Sequence, residues 1–506
     1  MLRAAKSARG SPEGEPFNPD GRATGSKVRD TIVQEIGLLK VRNPFRSAAL
    51  LAVTLFIHPI FAAETALDRY VKTPDPAYRF ELMKSIRGSG YTTYVLELTS
   101  QTWRKSSEVD RTLWKHWLII VKPDQVSGKT GYLFITGGSA KDKTPDTIDD
   151  PTFIDNALTT HTVVAELQDV PNEPLQFSDE KRTRSEDGII AYGQVKYLTT
   201  GDPSWILRLP MTKAAVRAMD TITAFMATPE GGRVPVDRFV VSGGSKRGWT
   251  TWTTAAVDKR VVAIIPMSID MLNIEKSFEH HWRVYGFWAP AVKDYVEAGL
   301  MDWNGTPQYR EMQSIEEPYS YRDRITIPKF IVNASGDQFF LPDSSRFYFD
   351  NLEGEKHLRY LPNTNHHREG TDYRESNIAF YEAFLSGAQR PRFTWKFEDN
   401  GDIRVDSKDR PSAVKLWQAA NPEHRDFRMM TIGPAYRASD VTERAKGVYI
   451  GHVDTSAKGW TAYFIEMTYP SGGKYPFKFT TSIRIAPDTE PFPPYDPKPR
   501  TQIGFH

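Results

Sequence analysis

DRFVVSGGSKRGWTTW, residues 237–252, runs from a short apolar strand into Ser-Gly-Gly, a single serine, Lys246-Arg247-Gly248 and a Thr/Trp-rich helix. A strand, a tight turn and a helix with one serine at the tip make the setting of a nucleophile elbow. The chemistry accounts for the shape. A serine hydroxyl attacks poorly until a base takes its proton, so it must stand clear of the sheet. The turn that lifts it is crowded, and its neighbours are small: Gly243 and Gly244 precede Ser245, and Gly248 follows. The helix starting near Lys246 aims its first N–H groups, and the positive end of its dipole, at the reacting centre. The spacing is G-x-S-x-x-G rather than G-x-S-x-G, with Arg247 where the second glycine would stand. Alone, that spacing is a weak signal, because Gly-Gly-Ser also occurs in plain turns.

The flanks place the turn in a sheet. GYLFITGG (131–138), HTVVAELQ (161–168), RVVAIIPMSID (260–270), KFIVNASGD (329–337) and HLRYLPN (357–363) read as short buried strands. Residues 211–228 and 378–388 repeat apolar residues at helical spacing. Apolar strands alternating with helices predict an α/β, doubly wound parallel sheet covered on both faces. YTTYVLELTS (91–100) and WKHWLIIVKP (114–123) read as an antiparallel pair at its front. Residues 271–328 interrupt the rhythm with Trp282, Tyr285, Trp288 and Trp303, and are expected to form a helical cap inserted into a domain spanning 64–390. From about 391 to 490 the pattern changes to period-2 runs, with a hairpin turn at Asn400-Gly401. A separate Ig-like β-sandwich is expected there, followed by a tail, 491–506.

Chain order supplies partners for the serine. The α/β-hydrolase order is Ser, then acid, then His, each at the C-terminal end of a strand. KFIVNASGD ends on Asp337, and the next strand leads to His366 and His367. Ser245, Asp337 and His366 are the preferred set. His367 is the rival base, and Asp270, at the end of the preceding strand, the rival acid. The backbone N–H of Lys246 is one oxyanion donor by position, and the Gly137-Gly138 turn is the expected source of the second. Gln168 and Asn172 follow a strand end beside Glu166, where they either line the pocket or build the loop. Lys246 and Arg247 would attract an anionic group, although cations at a helix start oppose its dipole. Trp249 and Trp252 read as core. His280-His281 diverge by about 100° on a helix, and no HExxH or His-x-His pattern occurs, so no metal and no cofactor are expected.

The bulk numbers bound the rest. The chain has 506 residues, 39% hydrophobic and 25% charged, with net charge +2, which argues for globular domains and against nucleic acid as a partner. The expected partner is a small-molecule or peptide substrate. Cysteine is absent, which excludes disulfides, thiol catalysis and Cys-based zinc sites. Residues 1–40 read as disordered or as a gene-model extension, with Val41 as the true start. Residues 41–63 have the basic, apolar and small-residue regions of a secretory signal peptide, with a signal anchor as the alternative. The expectation is an exported protein, periplasmic or secreted, with no stable membrane span after signal removal.

GGSKRGWT (243–250), SGDQFFLPDS (335–344), LPNTNHH (361–367) and LQDVPNEPLQF (167–177) resemble the PhoPQ-activated pathogenicity-related protein family, over roughly residues 65–490. The resemblance implies an α/β-hydrolase fold with a C-terminal β-sandwich, a Ser245–Asp337–His366 triad, and a link to resistance against host peptides. The elbow is also similar to the G-C-S-R-x-G of glucuronoyl esterases, where the Arg after the nucleophile helps bind the oxyanion. Lys246 takes that place here, keeping the charge and losing the fork. Two functions remain open: a serine hydrolase of esterase or peptidase type, or a secreted binding or signalling protein on a hydrolase scaffold.

Overall fold

The computed structural model describes residues 64–498, apart from 142, 149 and 455–457. The extension (1–40) and signal peptide (41–63) lie outside the described residues.

The first strands are β1 (Arg79–Gly88), β2 (Tyr91–Thr102), β3 (Leu113–Pro123), β4 (Thr130–Ile135) and β5 (Val164–Leu167). The two-residue strands β6 (Leu175–Gln176) and β7 (Thr183–Arg184) pair in the loop that follows. Then come β8 (Arg238–Gly244), β9 (Val261–Met267), β10 (Lys329–Ala334) and β11 (Lys356–Leu361). Nine of these form one sheet in the order β1-β2-β3-β5-β4-β8-β9-β10-β11. The pairings from β1 through β5 are antiparallel; those from β5 to β11 are parallel. The parallel strands β5 and β10 are buried along their whole length, as coverage by helices on both faces requires.

The order reverses at β4. The chain leaves β4 through the helix Pro151–Thr160 to reach β5 on one side, then returns to place β8 on the other. Loops leaving the ends of β4 and β8 therefore diverge and open a crevice, the position where such sheets bind ligands. Ile135 of β4 lies opposite Gly243 of β8, so Gly137 and Ser245 emerge side by side.

The sequence reading placed two antiparallel strands at the front and missed β1. Its residues alternate between exposed and half-buried, as an edge strand should, but charges and polar groups fill its outer face. That composition hides the strand from a search for apolar runs.

Residues 271–328 form a cap between β9 and β10, built on the helices Ile274–Tyr285 and Pro307–Glu316. Beyond the long helix Tyr373–Ser386 lie β12 (Phe393–Phe397), β13 (Ile403–Ser407), β14 (Ala413–Asn421), β15 (Arg437–Asp440), β16 (Glu443–Ala445), β17 (Val448–Gly451), β18 (Trp460–Tyr469), β19 (Phe477–Thr480) and β20 (Arg484–Ala486). They make two antiparallel sheets, β12-β13-β17-β16 and β15-β14-β18-β19, with β20 also on β18. The sheets face each other. Ile403, Val405 and Tyr449 of one share a core with Leu416, Ile465 and Met467 of the other. Burying each of the aliphatic side chains is worth ~1.5–3 kcal/mol. The run 477–487, read as one strand, is split into β19 and β20 by the buried Thr481-Ser482. Among the described residues no helix is long and apolar enough to cross a membrane.

The sandwich closes the edge of the main sheet. Tyr360 N of β11 donates to Thr480 Oγ1 at 2.9 Å, and the His357 ring stacks on Phe479 at 4.3 Å. The described part of the expected tail, 491–498, folds back on the cap: Phe492 N donates to Arg283 O at 3.0 Å, and Tyr495 Oη to Asp302 Oδ1 at 2.8 Å.

Thr480→Val keeps the shape and leaves the buried Tyr360 N–H without an acceptor. A loss of ~1–3 kcal/mol is expected in urea unfolding.

Candidate active site

Ser245 sits between β8 and the helix Lys246–Val257 with φ 58° and ψ −127°. A non-glycine residue holds that conformation only where its surroundings over-determine it. Its N–H donates to Met267 O of β9 at 2.8 Å, and its own carbonyl accepts from Trp249 N at 3.0 Å. The glycines explain the unusual spacing. A Cβ on Gly243 would meet Arg247 O at 2.7 Å, and one on Gly248 would meet Met267 O at 2.8 Å. Gly248 makes the close approach to the sheet. Arg247 is then free to carry a long side chain away from the elbow.

His366 follows β11 and Asp337 follows β10. His366 Nδ1 lies 2.8 Å from Asp337 Oδ2, and both side chains are buried. Asp337 Oδ1 is fixed by Phe339 N at 2.7 Å, and His366 N donates to Gln338 Oε1 at 3.2 Å. A carboxylate on Nδ1 sets the tautomer with the proton there and leaves Nε2 as the acceptor. The Phe339 ring packs 4.5 Å from the imidazole. An open cleft of about 530 Å³ is lined by Ser245, His366, Gly137, Lys246, Arg247 and Arg368, among others. A small apolar cavity of about 40 Å³ leads from Ser245 under the cap, between Trp249, Ile269, Phe278, Phe339 and Phe340.

The rivals fall elsewhere. His367 is exposed at the cleft rim, its N–H on Asn365 Oδ1. Asp270 is buried with one carboxyl oxygen 2.6 Å from Tyr348 Oη and the other 2.6 Å from Tyr360 Oη; none of its hydrogen bonds goes to a histidine. Burial pushes its carboxyl up to about 8, against the pull of the two hydroxyls.

Gly137 lines the cleft, whereas Gly138 (φ 148°) packs against Asp169, where the carboxylate occupies the place a Cβ would take. Gln168 and Asn172 build the loop and are not among the cleft-lining residues. Gln168 Nε2 donates to Glu166 Oε2 at 3.1 Å. Asn172 Oδ1 accepts from Arg111 Nε at 3.1 Å while its amide reaches Lys115 O. A polar residue after a strand end gives no sign of which way it faces, which is why both looked like pocket residues. Trp249 and Trp252 are buried, and Trp249 Nε1 donates to Glu316 O at 2.7 Å.

Three side chains that line the cleft were missed. Glu186, itself at φ 53°, accepts both Arg247 guanidinium nitrogens at 2.7 and 3.0 Å and pairs with Lys246 Nζ. Asp187 lies 3.5 Å from the same Nζ. These carboxylates answer the two cations that oppose the helix dipole. Burial would raise the Glu186 carboxyl, but Arg247 and Lys246 outweigh it and hold it well below the usual range. Glu173 Oε2 accepts from Glu186 N at 2.5 Å; burial and the Glu186 charge push its carboxyl up. Arg368, two residues past His366, is the third, and its Nη1 donates to His366 O at 2.9 Å and to Ser268 Oγ. The doublet Glu186-Asp187 carries no local signal of its partners, and Arg368 was overshadowed by the two histidines before it.

His280 belongs to a buried ion network. Its Nδ1 lies 2.6 Å from Glu490 and its Nε2 3.1 Å from Asp343, which also takes Arg425 at 2.7 Å. His281 Nε2 accepts from Ala289 N at 3.1 Å. Among the described residues no cluster of three or more potential metal ligands occurs.

Asp270 has a pH signature with a definite sign. Its folded value of about 8 lies above the unfolded value of about 4, so its contribution to stability is complete below pH ~4 and declines up to pH ~8. Asp270→Asn is expected to flatten the fall in unfolding free energy between pH 5 and 8, measured by urea titration. An unchanged slope would mean that another group carries it.

The chain is 36% identical over 457 residues to autocrine proliferation repressor protein A of Dictyostelium discoideum, covering 85% of this chain and 92% of that protein. Among solved structures it is similar to acetyl xylan esterase 1 from Thermoanaerobacterium sp. (16% identity, TM-score 0.43, 63% of this chain and 92% of that one). It is also similar to the glucuronoyl esterase from Solibacter usitatus (13% identity, TM-score 0.37, 63% and 88%). Residues 67–428 match the family model described as PhoPQ-activated pathogenicity-related protein. With that match across most of its length, and a relative aligned nearly end to end, the chain belongs to the PhoPQ-activated pathogenicity-related family.

Proposed function

We propose that the protein is an exported serine hydrolase that cleaves an ester or amide through an acyl-enzyme. The observation that carries the reading is the convergence, in one cleft, of a serine held at φ 58° on a strand-to-helix elbow and a histidine whose Nδ1 is taken by a buried aspartate. Ser245 Oγ attacks the carbonyl carbon as its proton passes to His366 Nε2, and Asp337 stabilises the imidazolium. The N–H of Lys246, with a second donor from the Gly137 turn, faces the developing oxyanion; each such donor is worth ~3 kcal/mol in the transition state. The C–O or C–N bond breaks as His366 returns the proton to the leaving group. Water then attacks the acyl-enzyme by the same proton path and releases a carboxylic acid. The 40 Å³ apolar cavity beside Ser245 suits an acetyl-sized acyl group. Peptidase action against host peptides is the variant with an amide substrate.

One observation favours a second reading. The relative from Dictyostelium is named for repressing proliferation, which suits a signalling protein on a hydrolase scaffold with little turnover.

Fluorophosphonate labelling of the protein from Glu64 onward separates the two. Stoichiometric labelling is expected, abolished in Ser245→Ala, and slowed about 10⁴-fold in Asp337→Asn. A folded wild type that takes no label would overturn the hydrolase reading in favour of the signalling one. Acetyl esters are expected to turn over at least tenfold faster than hexanoyl esters, as seen in kcat/KM.

A further inference from the structure

Arg368 carries a charge the site does not use. Only 9% of the residue is exposed, and its guanidinium stacks 5.0 Å from the Tyr373 ring. Nη1 is engaged by Ser268 Oγ and His366 O, but Nε donates to nothing. Among the described residues no carboxylate forms an ion pair with it, which is exceptional for a buried cation.

The neighbouring charges are all committed. Lys246 and Arg247 are balanced by Glu186 and Asp187, and Asp337 is held by His366. The chamber on the other side of Arg368, about 320 Å³, contains Asp150 and Glu166. Asp150 pairs with Arg374 at 2.6 Å, and Glu166 accepts from Gln168. Arg368 lines both this chamber and the Ser245 cleft, so its charge stands where the two join. Its Nη2 lies 2.9 Å from the place a Cβ on Gly244 would take. Since Gly244 precedes the serine, the guanidinium is within roughly 8 Å of Ser245 Cα.

A buried guanidinium that faces a water-accessible cavity and has no carboxylate in ion-pair contact with it is built for an external one. Its planar fork matches a carboxylate. We propose that Arg368 is the specificity residue of this site and binds a free carboxylate on the leaving-group side, making the substrates acyl esters of carboxylate-bearing alcohols or phenols. This rests on the hydrolase reading above.

The test compares 4-acetoxybenzoate with its neutral methyl ester. In the wild type kcat/KM is expected to favour the anion, and Arg368→Gln should lower the anion-to-neutral ratio about tenfold or more. Arg368→Lys, with the charge but not the fork, should fall between. The ratio cancels any loss from a disturbed His366 loop, because that loss falls on both substrates. An unchanged ratio in a variant that still turns over either ester overturns the proposal. Benzoate binding by calorimetry, with benzamide as the neutral control, covers the case in which the variants fail to fold. Wild type that binds both alike overturns it; benzoate binding alone supports it. If the wild type takes no fluorophosphonate yet binds benzoate in preference to benzamide, the hydrolase reading falls and the anion site stands.

Discussion

Ser245 is held in a backbone conformation that costs ~1–3 kcal/mol to maintain, and the rest of the site is arranged around that cost. The strain is offset by contacts with β9: the Ser245 N–H is bonded to Met267 O, and the same carbonyl lies under Gly248. Gly243 lets Arg247 O approach to a distance no side chain would tolerate. The two contacts with Met267 O need β8 and β9 in register, and Gly244 pairs directly with Met267. The parallel sheet is therefore the clamp that keeps the serine out of the core and in the crevice beside β4.

Such a corner also brings charges together. A helix beginning at the serine offers its positive end to the oxyanion, and two cations at its first positions oppose it. Glu186 and Asp187, from the start of another helix, restore the balance. With Lys246 tied to these carboxylates, its ammonium is balanced within the protein. The Lys246 side chain is committed to those carboxylates. A compact ammonium reaches two neighbouring carboxylates without a planar match.

The elbow, the strand alternation, the cap and the order Ser, Asp, His were legible because each depends on residues close in sequence. Periodicity marks a buried strand, and the residue after it marks the crevice. The choice between Asp337 and Asp270 was not legible. Both end a strand, and what separates them is Tyr348 and Tyr360, which close around Asp270 from distant parts of the chain. The choice between pocket and loop for Asn172 stayed open for the same reason: Arg111 and Lys115, which hold it, come from the strand and loop preceding it by some sixty positions. β1 was lost because Phe80, Leu82 and Ile86 alternate with mostly polar residues and form no continuous apolar run. Local pattern reports the elements; the partners of a buried polar group are set by tertiary contact.

The sandwich has a structural consequence for the active site. The cap that roofs Ser245 is tied through His280 to Asp343 beside the sheet, to Glu490 in the segment after β20, and through Asp343 to Arg425 in the loop after β14. Burial alone would lower the His280 imidazole, yet Asp343 and Glu490 raise it, favouring its charged form between two carboxylates. Phe492 and Tyr495 then pack across the outer side of the cap against Gly286, Trp282 and Trp288. A roof pinned from the sheet, the sandwich and the chain end has little freedom to swing away as a unit. The open cleft beside Ser245 is lined by His367 and Arg368, on the side away from the roofed cavity. The C-terminal domain thus reaches the candidate site through contacts that brace its roof.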